Sequence, residues 1–132
     1  MVLKDGLQAE IGGLKFTFRE MTHPVQSFAM AVEYEGKKLV YTGDTNMNDK
    51  ITEFVKGASF LVADAGLLQR DKTDQSPHLT AEEVGIIASE AGVKNLILSH
   101  IWPGYVEEQV INEAARYFRN PILAEEMKVI EI

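Results

Sequence analysis

The feature that most constrains the fold is a change of hydrophobic period about a third of the way along the chain. Before it, apolar and polar residues alternate. In "LKFTFRE" the side chains of Leu14, Phe16 and Phe18 fall on one face and those of Lys15, Thr17 and Arg19 on the other, the period of two that marks a strand with unlike faces. "LQAEI" precedes it across Gly12-Gly13, which predicts a hairpin. "SFAMAVEY" and "KKLVYTG" around "EGK" predict a second. After the change come "FLVADA" and "NLILSH", short unbroken apolar runs ending in polar residues, as in strands covered on both faces. Between these lies "TAEEVGIIASEAGVK", with Val84, Ile87, Ala88 and Ala91 at helical spacing. Thr80 and Glu83 form a capping-box pattern, Leu79 and Val84 a hydrophobic staple, and Gly92 a stop. A second helix is expected from about Glu107 to Phe118, burying Val110, Ile111, Ala114, Ala115 and Phe118, and a weaker one after Asn48. "PILA" and "KVIEI" read as short closing strands. Hairpins followed by β-α-β units predict an α/β protein with helices over one face of a mixed sheet.

The length of 132 residues suits one domain with a single modest core. Net charge is −7 and no basic block is present, so charge gives no support to nucleic-acid binding through phosphates. The chain has no cysteine, which excludes disulfides, thiolate–metal sites and a cysteine nucleophile. Its apolar runs are too short for a membrane span, and the N-terminus lacks a signal-peptide layout. A soluble, cytoplasmic protein is the expectation.

The chemistry-bearing residues cluster at strand ends. Asp44 follows "KLVYTG" and His100 ends "NLILSH", both where α/β sheets place ligand-binding groups. His23 lies in the connector "MTHPVQSF", with Pro24 holding it extended. Imidazole and carboxylate are the usual ligands for zinc and related ions. Taken singly, each residue also has a plainer reading: a core or surface histidine, or an aspartate in an Asx turn. His78, in "PHLTAEE", either takes part in chemistry or merely precedes the N-cap. Asp64, in "VADAG", has the chemistry to orient a ligand histidine.

The strings "HPVQSFAMAVEYEGKKLVYTGDT", "LVADAGL" and "PHLTAEEVGIIASEAGVKNLILSHIWPGY" resemble, in order over Thr22 to Tyr105, the second half of metallo-β-lactamase-fold hydrolases, nearest to the ribonuclease Z-like and phosphodiesterase-like branches. The resemblance implies that residues 1–132 form the C-terminal half of an αββα sandwich. It implies that His23 binds a first metal, that Asp44 bridges two, and that His100 binds the second. It further implies that Asp44 and His78 serve catalysis, His78 at the scissile phosphate, and that the cofactor is zinc, two ions in the full-length protein, or manganese or another divalent ion. At the position of Asp64 the resembling sequences carry glutamate.

The family's cluster H-x-H-x-D-H is absent, since the only histidines are His23, His78 and His100. The expectation is therefore a fragment or subunit of a phosphoester hydrolase, nearly inactive alone, that self-associates or pairs with its missing N-terminal half. Half a sandwich would leave a sheet face such as Leu14, Phe16 and Phe18 uncovered. Two other readings compete: a module that accepts a phosphoryl group on Asp44, and a non-catalytic interaction domain.

Overall fold

A computed structural model describes residues 1–132. Seven strands form one sheet in chain order: β1 Gln8–Ile11, β2 Leu14–Glu20, β3 Phe28–Tyr34, β4 Lys37–Tyr41, β5 Phe60–Asp64, β6 Leu96–Ser99 and β7 Ile122–Leu123. Pairing is antiparallel from β1 to β4 and parallel from β4 to β7, so the sheet changes character where the hydrophobic period changes. Both hairpins turn through two residues of positive φ, Gly12-Gly13 (58° and 81°) and Glu35-Gly36 (47° and 76°), the type I′ geometry that matches strand twist.

Three helices, α1 Ile51–Val55, α2 Ala81–Glu90 and α3 Glu107–Ala115, lie over one sheet face. That face carries Ala31, Val40, Leu61 and Leu96 in register across β3 to β6, all fully buried. Thr80 caps α2 with both capping-box bonds made. Gly85 sets how closely α3 approaches, because a Cβ there would lie 2.6 Å from the Ala114 carbonyl oxygen. No helix is long and apolar enough to cross a membrane.

The opposite face has no such layer. Phe16, Val32, Leu39 and Phe60 align in one cross-strand row, and Phe18, Met30, Tyr41, Val62, Ile97 and Ile122 in the next. These side chains lend one another lateral cover, so most are half-buried, while Tyr41 and Ile122 are exposed. At one corner the chain end curls onto this face: Ile132 adjoins Leu14, Val32 and Leu39, and its carbonyl accepts a 2.8 Å bond from Lys37 Nζ.

The C-terminal half departs from the sequence expectation in two places. "KVIEI" is not a strand. No neighbouring backbone pairs with it, and Val129 is exposed; an apolar alternation makes a strand only where a ladder partner exists. The last helix stops at Ala115, and its buried residues are Val110 and Ala114. Ile111 and Phe118 are half-buried and Ala115 is exposed, because α3 rests on α2 along a narrow stripe beside Gly85.

Candidate metal centre

The carboxyl ends of parallel strands in an open sheet form a rim where loops can converge. Here β4 ends just before Asp44, β5 ends in Asp64, and β6 ends just before His100. β2 runs in the same direction as β4, since both are antiparallel to β3, so the His23 connector leaves at this rim too. His78 stands before α2, whose N-terminus faces the same end. Four loops and one strand end thus meet.

Each loop is pinned. Thr22 and Asn46 form an isolated antiparallel bridge, and Leu67 and Thr80 a parallel one, which tie the His23 loop to the Asp44 loop and the post-β5 loop to that of His78. Asp44 follows Gly43, whose φ is +62° and whose added Cβ would meet the Phe28 carbonyl oxygen at 2.7 Å. No side chain fits there on either count. His100 itself has φ 59°, a left-handed conformation that histidine adopts more readily than most residues but that still carries strain.

Asp64 anchors the assembly. Its side chain is 1% exposed. Oδ2 accepts from the Thr45 N–H at 3.0 Å and Oδ1 from the Gly66 N–H at 3.0 Å, while its own N–H donates to Thr42 Oγ1. Oδ2 also lies 2.7 Å from His78 Nδ1. A buried carboxylate at that nitrogen fixes the tautomer with hydrogen on Nδ1 and leaves the Nε2 lone pair free. Gly66 permits the approach, as a Cβ there would press on both Asp64 Oδ1 and the His78 ring at 3.2 Å. His23 Nδ1 lies 3.0 Å from the Val25 carbonyl oxygen and 3.3 Å from the Val25 N–H; the shorter contact favours the tautomer with hydrogen on Nδ1, which leaves Nε2 available.

The remaining donors approach without bonding to each other. His100 Nε2 is 3.8 Å from Asp44 Oδ2, and His100 Nδ1 is 3.5 Å from Asp64 Oδ1, both beyond a good hydrogen bond. The His78 ring centroid is 5.5 Å from that of His23 and 4.6 Å from that of His100. Ligand atoms of His23, Asp44 and His78 lie within 4.8 Å of one another, as do those of Asp64, His78 and His100. Two ligand atoms on one tetrahedral zinc ion stand roughly 3.4 Å apart, given bonds of about 2.0–2.1 Å. The spacing and the free imidazole nitrogens fit a divalent cation.

The sequence-predicted residues are therefore brought together: His23, Asp44 and His78 form one cluster and Asp64, His78 and His100 a second, joined at His78. His78 is not only a residue before a cap, since it belongs to both clusters. Asp64 takes the supporting position despite differing from the glutamate of resembling sequences. One participant escaped sequence reading. Lys72 Nζ donates to Asn46 Oδ1, the His78 carbonyl oxygen and Glu83 Oε2 at 2.6, 2.8 and 2.9 Å, so the His78 loop is strapped to the capping box of α2. A lysine in a polar loop carries no local signal of such a task. No buried side-chain nitrogen or oxygen lacks a partner.

Known proteins share the sequence pattern and the fold of this chain. Residues 2–101 match the family model described as the β-lactamase superfamily domain. An uncharacterised protein of Mycobacterium tuberculosis is 33% identical over 121 residues, covering 91% of this chain and 44% of that protein. A ribonuclease Z of Archaeoglobus fulgidus is 37% identical over 101 residues, 74% of this chain and 33% of that protein. Among solved structures, the metallo-β-lactamase fold protein YhfI of Bacillus subtilis superposes with a TM-score of 0.88 at 25% identity, covering 95% of this chain and 52% of that one. The short form of human tRNase Z, at 23% identity, shares the fold with a TM-score of 0.73, over 94% of this chain and 45% of its own. The chain spans less than half the length of these curated relatives.

Proposed function

The chain belongs to the β-lactamase superfamily, with the metallo-β-lactamase fold of the ribonuclease Z-like hydrolases, and from that premise we propose that it carries one side of a divalent-metal centre that hydrolyses a phosphoester. The observation that carries this reading is the convergence of His23, Asp44, His78 and His100 at one rim of the sheet, in two clusters that share His78, with the buried Asp64 carboxylate behind them. His23, Asp44 and His100 would hold the metal. A divalent ion so held supplies a bound water of lowered pKa and neutralises phosphoryl oxygens. Zinc is the first candidate, because the donors are imidazole and carboxylate. His78, kept in one tautomer by Asp64, passes a proton through Nε2 at the scissile phosphate.

The centre is completed by a second polypeptide segment. The chain contains no H-x-H-x-D-H cluster, and its sheet carries two apolar cross-strand rows with no layer over them. A layer seated on those rows buries them and brings its own ligands to the rim. The net charge of −7 gives no support to a long RNA as the substrate, and we propose a compact phosphoester. Asp44 is surrounded by histidines rather than by the acid pair and lysine of a phosphoryl-accepting site, which disfavours that alternative.

The test is complementation. The chain, mixed with the part of the M. tuberculosis relative that lies outside the matched 121 residues, is assayed with bis(p-nitrophenyl) phosphate in zinc or manganese. Metal-dependent hydrolysis that needs both components and is lost in His78→Ala and Asp44→Asn supports the proposal. Hydrolysis indifferent to both substitutions overturns it.

A further inference from the structure

Trp102 is the only tryptophan and is 63% exposed. A solitary exposed aromatic is unremarkable by itself. Its setting is different. A cleft of about 440 Å³ beside the metal centre is lined by Trp102 together with His78, His100, Ile101 and Pro103. The indole therefore forms a wall of the same opening that holds two of the chemistry-bearing imidazoles.

The indole is also held in place. Pro103 restricts Trp102 to an extended backbone, and the Tyr105 N–H closes a turn on the Trp102 carbonyl oxygen at 3.0 Å. That turn is fastened at both ends: Ile101 packs against the core, and Tyr105 Oη donates to Asp71 Oδ2 at 2.7 Å. Within it, Gly104 provides the seat. A Cβ on Gly104 would stand 2.9 Å from the indole Nε1 and 3.1 Å from Cδ1, so only glycine lets the ring lie against the turn. A rigid, exposed, apolar plane beside a polar reaction centre is the arrangement that stacks a flat ring at little entropic cost.

We propose that Trp102 is a substrate-binding residue that stacks a planar heteroaromatic ring of the phosphoester, a nucleobase or a ring of that class, while the phosphoryl group sits at the centre formed by His78, His100 and Asp44. The inference rests on the phosphoester reading above and adds the chemical class of the organic portion. It gives the site a preference the metal ligands cannot provide, since they meet only the phosphoryl end.

The single tryptophan makes the test direct. Trp102 fluorescence is followed while the zinc-loaded chain is titrated with AMP, with glycerol 3-phosphate, and with adenosine. AMP is expected to quench Trp102 and to bind about tenfold or more tightly than glycerol 3-phosphate. That preference disappears in Trp102→Ala when binding is read by calorimetry, survives in Trp102→Phe, and shrinks in Gly104→Ala, where the ring is displaced. Equal affinity for AMP and glycerol 3-phosphate, or a preference unchanged in Trp102→Ala, overturns the proposal. The two readings fail separately. If neither phosphate binds but adenosine quenches Trp102 in metal-free buffer, stacking stands and the metal-centre reading fails. If both phosphates bind alike and His100→Ala abolishes both, the metal-centre reading stands and stacking is wrong. If neither AMP nor adenosine perturbs Trp102, stacking is wrong whatever the metal does.

Discussion

His78 Nδ1 sits 2.7 Å from Oδ2 of Asp64, and the Asp64 side chain is 1% exposed. The carboxylate is held by the backbone N–H groups of Thr45 and Gly66, one from the loop of Asp44 and one from the loop leading toward His78. A single buried group thus fixes the positions of two loops and the protonation pattern of one imidazole. Asp64→Ala leaves those donors unpaired inside the protein and is expected to destabilise the fold by about 3 kcal/mol, measured by urea denaturation. Asp64→Glu has the chemistry to restore part of this, and recovery of less than half is expected because the longer side chain enters a filled site. A loss below about 0.5 kcal/mol for Asp64→Ala contradicts the anchoring role.

Lys72 is the strap on the same loop, 15% exposed at its side chain and paired with Glu83. Lys72→Met removes three bonds at once, all of them to groups that remain partly buried. The expected cost is about 1–3 kcal/mol, together with faster hydrogen exchange at Leu79 and Thr80. Unchanged exchange there means the loop is held by its backbone bridge alone.

Gly43 meets two demands, a φ of +62° and a backbone oxygen 2.7 Å from where a Cβ would stand. Gly43→Ala is expected to cost at least about 1–2 kcal/mol from the backbone alone. Gly57, also at positive φ but in open space, is the control: its alanine variant carries the conformational cost without the clash. If both variants melt at the same temperature, the close approach to Phe28 contributes nothing.

The uncovered sheet face has its own consequence. Phe16 and Val32 are directly opposed across β2 and β3, in the apolar row that runs to Phe60 on β5, and the next row runs from Phe18 to Ile122 on β7. Sedimentation velocity at micromolar concentration is expected to show association, and Val32→Glu to shift the chain to monomer with little change in the melting temperature. A wild-type chain that is strictly monomeric over that range contradicts the proposed second layer.

Tyr105 offers a pH-dependent check on the turn that carries Trp102. Burial, followed by the hydrogen bond it donates to Asp71, raises its pKa above the ordinary value of 10.0. A phenol whose folded-state pKa is raised contributes stability that is fully present below the ordinary value and lost as pH rises through the raised one. Tyr41 is also raised, by burial first, so tyrosinate absorbance should show more than one late-titrating phenol, with one fewer in Tyr105→Phe and one moved toward the ordinary value in Asp71→Asn. No difference between wild type and Asp71→Asn separates the turn from its brace.

Much of this was legible in the residues themselves. The Gly12-Gly13 and Glu35-Gly36 turns, the capping box of Thr80 and Glu83, and the two buried parallel strands follow from local rules that the tertiary structure leaves intact. The sheet order follows because each hairpin and crossover joins neighbours. "KVIEI" misled because alternation describes a strand's faces and says nothing about a ladder partner. Ala115 misled because helical spacing does not set how wide a stripe the neighbouring helix covers. At the site, strand-end positions marked His23, Asp44 and His100, whereas the depth of Asp64 and the reach of Lys72 depend on contacts between loops far apart in the chain.

Zinc uptake tests the centre most directly. Calorimetric titration of the chain with zinc, compared with His23→Ala, His100→Ala and Asp44→Asn, is expected to show binding that each substitution weakens by about tenfold or more. Zinc affinity that is the same in all four proteins would mean that these side chains meet at the rim without forming a metal site.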